Sequence, residues 1–260
     1  MDKIIGAQYY TIRDYTKTIE DFDASCKKIS DMGYKAVQIS GQPLDASEMR
    51  KVLDKYGLKV YLTHKSCKDF FEDIDGVIEY NKALGCDLCG MGSMSKEYIE
   101  SNESLTDFIT KINKACERLK AEGMYFGYHN HSFEFFKFDG KEIFDRLIEE
   151  TDPEIFNFIV DTYWLQHGGK NPPDVIRKLG KRAMAIHFKD YGIFYNDEGK
   201  LKPAICEVGR GNLDWDAIFA ACEDAGSRFA VVEQDNNHFE GDPFKSLKMS
   251  YDFLSSKGFC

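Results

Sequence analysis

The sequence predicts an α/β fold, a single (β/α)8 TIM barrel, and three observations carry that expectation. Short apolar segments alternate with amphipathic ones from end to end. Glycines close most of the amphipathic stretches. The length of 260 residues suits one domain spanning 1–260, since such a barrel typically takes about 250.

The strands are expected at Ile4–Tyr10, Lys35–Ser40, Leu58–His64, Leu88–Met91, Met124–Asn130, Phe156–Asp161, Ala183–His187 and Phe229–Glu233. Between them the 3.6-residue spacing of apolar positions predicts helices near Thr16–Met32, Ala46–Tyr56, Asp69–Leu84, Leu105–Glu122, Lys141–Glu150, Pro173–Leu179, Trp215–Ala225 and Pro243–Ser256. Gly33, Gly57, Gly85, Gly123, Gly180 and Gly226 stand where these helices should stop and the next strand begin. Strands that alternate with helices form a parallel sheet, and eight such units in this length favour closure into a barrel. One long stretch, Tyr191–Asn212, reads as an irregular loop after the seventh strand. On a barrel it belongs to the C-terminal face, where active sites are built.

Composition narrows the function. Hydrophobic residues make up 43% and charged residues 30%, the mix of a soluble globular enzyme. With 34 basic against 44 acidic residues the net charge is −10, which argues against a nucleic-acid partner. No apolar run approaches the roughly 18 residues of a membrane span. Met1–Gly6 lacks the features of a signal peptide, so the expected address is the cytoplasm. The eight cysteines are scattered and expected reduced, with Cys86-x-x-Cys89 lying in a strand-like segment.

Polar residues of unusual type gather at the strand ends. His64, His129-Asn130-His131, Asp161, His187 and Glu233 all fall there, including four of the six histidines. Side chains alternate along a strand, so Asp161 shares a face with Ile159, His187 with Ala185 and Glu233 with Val231. Those apolar companions suit a barrel interior, and the polar residues then converge on one rim. Asp161, His187 and Glu233 form a mixed oxygen and nitrogen set for a divalent metal, Mn²⁺ first and otherwise Mg²⁺, Co²⁺ or Zn²⁺. His129 on the neighbouring strand is the natural fourth ligand. A lone strand-end His or Asp is commonly a cap, but caps do not explain ligand chemistry on four consecutive strands.

The remaining candidates each have a structural alternative. His64 and His131 can bind substrate oxygens or satisfy the core. Lys189 can bind a hydroxyl or pair with Asp190 at the surface. Arg210 can bind an anion or simply occupy the Gly209-Arg210-Gly211 turn. Glu134 can reach the pocket or sit on a loop. Trp164 and Tyr163 can wall a sugar face or pack a helix.

At these residues the sequence resembles the xylose-isomerase-like sugar isomerase/epimerase superfamily, which also contains endonuclease IV. The matching stretches are Gln8–Asp14, Tyr128–Phe135, Asp161–Trp164, His187–Asp190, Val208–Trp215 and Val232–Asp235, in the family's order and across nearly the whole chain. In the family's keto-sugar epimerases, Glu, Asp, His and Glu from strands five to eight hold one divalent ion. Asp161, His187 and Glu233 match the last three, and His129 departs from the first. The resemblance implies a keto-sugar or polyol substrate. Glu233 would act as the base that forms an enediolate, with His129, His131 or Glu134 as the second acid or base.

Isomerisation or epimerisation is therefore the expected outcome. Dehydration of an inosose or 3-keto sugar, as in the family's dehydratases, is the alternative that the His129 departure raises. A non-catalytic sugar-binding barrel is a third. Endonuclease chemistry needs a further His three residues after Asp161, where Trp164 stands. A homodimer is the assembly such barrels commonly adopt.

Overall fold

The structure, a computed structural model, describes all 260 residues. Eight parallel strands close on themselves: β1 (Ile5–Gln8), β2 (Ala36–Ser40), β3 (Lys59–Lys65), β4 (Leu88–Met91), β5 (Tyr125–His129), β6 (Phe156–Asp161), β7 (Ala183–Phe188) and β8 (Phe229–Val232). Each pairs with the next, and β1 closes the ring on β8 with Gly6 beside Val231. Helices α1 (Ile19–Met32), α2 (Ala46–Lys55), α3 (Cys67–Glu72), α4 (Ile74–Leu84), α5 (Asn102–Ala121), α6 (Ile143–Glu150), α7 (Thr162–His167), α8 (Pro172–Leu179), α9 (Trp215–Ala225) and α10 (Pro243–Ser256) connect them.

The helix ends follow local chemistry. Thr18, Asp45, Ser101 and Asp214 accept hydrogen bonds from the first-turn amides of α1, α2, α5 and α9. Gly85 and Gly226 end α4 and α9 in the left-handed conformation, with φ of 66° and 73°, which a residue with a Cβ adopts only at a cost. The single helix expected over Asp69–Leu84 is two, because Asp73 stops α3 and caps α4 by accepting from Gly76 N.

The stretch expected to be irregular holds an antiparallel hairpin, Asp190–Tyr195 paired with Leu201–Cys206. Tyr191, Ile193 and Tyr195 lie opposite Ile205, Pro203 and Leu201, cross-strand apolar pairs that stabilise such a ribbon. It rises from the end of β7, on the side where the strand ends carry the polar residues.

Two apolar layers hold the barrel. The larger lies between strands and helices. The smaller fills the interior with Leu62, Leu88, Ile159, Met184, Ala185, Phe229 and Val231, so Ile159, Ala185 and Val231 point inward as the alternation requires. Gly127 makes room for this layer, since a Cβ there would meet Ile159 at 3.0 Å. All eight cysteines are free, and burial raises the thiols of Cys86 and Cys89. No helix is long and apolar enough to cross a membrane.

Candidate metal centre

Inward-facing strand positions continue upward into the site. Above Gly127 on β5 stands His129, above Ile159 on β6 stands Asp161, above Ala185 on β7 stand His187 and then Lys189, and above Val231 on β8 stands Glu233. One ligand atom from each of His129, Asp161, His187 and Glu233 lies within 4.8 Å of the others, and all four residues are buried.

Each donor is aimed by a second contact. Asp161 divides its oxygens: Oδ1 accepts from Trp164 N at 3.0 Å, capping α7, while Oδ2 faces His129 Nε2 at 3.1 Å. Capping and ligation are thus compatible roles for one carboxylate. His129 Nδ1 donates to the Gly92 carbonyl at 3.0 Å, which turns Nε2 towards the acids. His187 Nδ1 lies 2.8 Å from Glu233 Oε2, and His187 Nε2 lies 2.7 Å from Gln38 Oε1. Such outer contacts set the tautomer and orientation of ligating imidazoles.

Two nitrogen lone pairs aimed at carboxylate oxygens repel unless a proton or a cation stands between them. The donor set therefore fits a divalent ion bound by His129, Asp161, His187 and Glu233. The electrostatics agree. Burial works against ionised Asp161 and Glu233, but the Lys189 ammonium together with the neighbouring imidazoles, His129 at Asp161 and His187 and His129 at Glu233, holds both carboxyls below their ordinary range. Burial also pulls His129 down, yet the Asp161 hydrogen bond and the Glu233 charge leave it raised. His187 is lowered, chiefly by burial.

Of the four donors, His129 and Glu233 open onto a cavity of about 490 Å³ that Tyr10, Arg13, His64, His131, Lys189 and Asp235 also line. His64 packs its ring 5.2 Å from His129 and 5.5 Å from His187 and leaves Nε2 without a partner. Burial, reinforced by the neighbouring imidazoles, holds it neutral. His131 stands between His129 and Trp164 with Nδ1 unpartnered, and burial lowers it to about 3. Unpaired buried groups facing a cavity are a place for a polar ligand.

Other candidates go elsewhere. Lys189 is fully buried and bonded to Asp161, Glu233 and Asp235 at 2.8, 2.8 and 3.0 Å, not a surface lysine paired with Asp190. Asp190 instead accepts from Gly209 N, Gly211 N and Trp215 Nε1, holding the glycine turn in place. Arg210 on that turn is 45% exposed beside Glu207 and lines a separate small cavity, so it does not join the centre. Glu134, just beyond β5, is fully buried, and its carboxyl accepts from Tyr128 Oη at 2.8 Å and His131 N at 2.9 Å. Trp164 covers the Lys189 ammonium at 5.7 Å, and Tyr163 packs against it on α7.

Gln38, the Gly92 carbonyl and Asp235 were not among the candidates. Parity along β2 could have pointed to Gln38, a buried glutamine between Val37 and Ile39, and parity after Glu233 to Asp235. Nothing local marks Gly92.

The xylose isomerase-like TIM barrel family matches residues 26–257. The chain belongs to that family. An inosose dehydratase of Lacticaseibacillus casei is 22% identical over 267 residues, covering 90% of this chain and 89% of that protein. A sugar phosphate isomerase/epimerase from Parabacteroides distasonis superposes with a TM-score of 0.81 at 21% identity, over 98% of this chain and 94% of that one. A xylose isomerase-like TIM barrel protein from Mycobacterium smegmatis in complex with magnesium gives 0.75 at 12% identity, over 98% and 97%. These two structures share the fold of this family member.

Proposed function

We propose that this xylose isomerase-like barrel is a divalent-metal-dependent enzyme that dehydrates a keto-polyol of the inosose type. The observation that carries the reading is the placement of acids. The carboxylates lining the cavity, Glu233 and Asp235, both follow β8, and the strand-five position across from them is an imidazole. Epimerisation through a planar intermediate uses an acid or base on each face of the substrate. Here proton removal and proton delivery both fall to one side, which suits elimination. The relationship to inosose dehydratases supports the same choice.

When bound by His129, Asp161, His187 and Glu233, the ion supplies Lewis acidity towards a substrate carbonyl. Glu233, ionised at neutral pH, accepts the proton from the carbon beside that carbonyl. The same carboxyl then returns that proton to the hydroxyl on the next carbon, which leaves as water. His64 and His131, neutral and unpartnered, hold other substrate oxygens by hydrogen bonds. His131, backed by the Trp164 ring, walls one side of the cavity.

The test is incubation of the manganese-loaded protein with inososes, 3-keto-glycosides and ketohexoses in deuterated water, followed by mass spectrometry and NMR. Loss of one water with an inosose is the expected result. Deuterium at the carbon without loss of water would replace dehydration by epimerisation or isomerisation. No exchange and no product on any substrate would overturn enolisation as the shared step.

A further inference from the structure

Lys189 lies two residues beyond His187, on the same side of the chain, and its ammonium sits inside the proposed metal centre. It is 2.8 Å from Asp161 Oδ2 and 2.8 Å from Glu233 Oε2. These are the same oxygens that face His129 Nε2 at 3.1 Å and His187 Nδ1 at 2.8 Å. Asp161 has no other oxygen to offer, because Oδ1 is committed to the amide of Trp164. An ion bound through the two oxygens that face the imidazoles, Asp161 Oδ2 and Glu233 Oε2, therefore shares both with the ammonium. Two cations sharing the same oxygens in a buried, weakly screened site repel strongly.

A third carboxylate offers a way out. Asp235 Oδ2 is 3.0 Å from the same ammonium, is not one of the four donors, and lies at the cavity with its side chain 23% exposed. Charge counting favours that arrangement: a divalent ion balances Asp161 and Glu233, and the ammonium balances Asp235. The ring of Trp164, 5.7 Å from the ammonium, offers an aromatic face to it.

We propose that Lys189 is a resident competitor for the metal. In the metal-free protein its ammonium neutralises the two ligand carboxylates, and binding of the ion drives it across to Asp235. Lys189 then keeps the empty centre from collapsing by charge repulsion and lowers metal affinity below what four donors alone would give. Asp235 is the positioning residue that makes the exchange affordable. The inference rests on the metal centre proposed above.

The experiment is calorimetric titration of the chelator-treated full-length protein with MnCl₂ at neutral pH, with thermal melts in parallel. Lys189→Met should bind Mn²⁺ about tenfold or more tightly than wild type, because a competing cation is gone. Its metal-free form should melt lower and gain more on adding Mn²⁺. Asp235→Asn should bind about tenfold more weakly, because the displaced ammonium has lost its acceptor. In the double variant the Asp235 effect should vanish. Equal or weaker binding by Lys189→Met, or an undiminished Asp235 effect in the double variant, overturns the exchange. If Lys189→Met does not fold without metal, Asp235→Asn decides alone: weaker binding supports the exchange, and unchanged or tighter binding overturns it. A wild-type protein that binds none of Mn²⁺, Mg²⁺, Co²⁺ or Zn²⁺ refutes the metal centre itself, a different outcome from unchanged affinity in the variants.

Discussion

The N-terminal end of the barrel carries the larger cavity, about 700 Å³, lined by Asp2, Arg50, Asp54, Lys59, Asp87 and Arg228 among others. The C-terminal end carries the smaller, about 490 Å³. Both are rich in charge, but the charges live in different surroundings. At the N-terminal end Arg228 and Asp87 pair at 3.0 Å with side chains 41% and 47% exposed, where solvent screens the pair and its net worth is small. At the C-terminal end Lys189 and Asp161 pair at 2.8 Å with both side chains fully buried. Burying such groups costs several kcal/mol per ion before their attraction is counted. Cavity size therefore does not locate the chemistry. The costly arrangement does, because buried, mutually perturbed acids and bases gather where a protein uses them.

That contrast can be broken at either end. The largest effect is expected from Asp161→Asn and Glu233→Gln, which should each lower kcat by about 10²–10⁴-fold and weaken Mn²⁺ binding with the far-UV spectrum unchanged. Full activity in both variants would remove the C-terminal end as the site.

Next comes the pH dependence of stability through Glu134. Burial raises this carboxyl from 4.5 to about 7, against the pull of the Tyr128 hydrogen bond. The unfolded chain ionises first as pH rises, so the stability Glu134 contributes is complete below the unfolded value and is lost as pH climbs through the folded one. The loss should approach about 3 kcal/mol by neutral pH. Urea midpoints at about pH 5 and about pH 8 should converge in Glu134→Gln relative to wild type. An identical pH slope in the two proteins would assign the effect to another group.

A smaller change is expected from Gln38→Leu. Without the amide that accepts from His187 Nε2, the imidazole loses its orientation, and metal affinity should fall about 10–100-fold in calorimetry. Retained affinity would mean that β6 and β8 packing alone orients His187. The smallest effect belongs to the N-terminal end, where Arg228→Gln should change stability by under about 1 kcal/mol in denaturant titrations and leave turnover unaltered. A loss of turnover there would show that the two ends are coupled.

Much of the fold was readable before any coordinates. Leu88–Met91 and Phe156–Asp161 have the expected bounds, because each is a short apolar run, the first just after the Gly85 helix stop and the second ending at the carboxylate that caps α7. The hairpin after β7 is not legible in the sequence because Gly192, Pro203 and Ala204 dilute its alternation, and pairing, not propensity, makes it a ribbon. Helix α7 is equally hidden, because its six residues are too few for a period to show and its start depends on the Asp161 carboxylate. In the site, strand parity alone made Asp161, His187 and Glu233 neighbours. It could not make Arg210 a neighbour, because the turn that carries it is held by Asp190.

The sequence by itself determined the alternation of strands and helices, the glycine stops and which side chain of each strand faces inward. Those depend on backbone conformations and periods that adjacent residues set. Only the tertiary structure decided that Gln38 accepts from His187, 149 residues away, and that one ammonium is shared among Asp161, Glu233 and Asp235. Such contacts depend on barrel closure and strand register, and their strength depends on the water that closure excludes. Local sequence encodes neither.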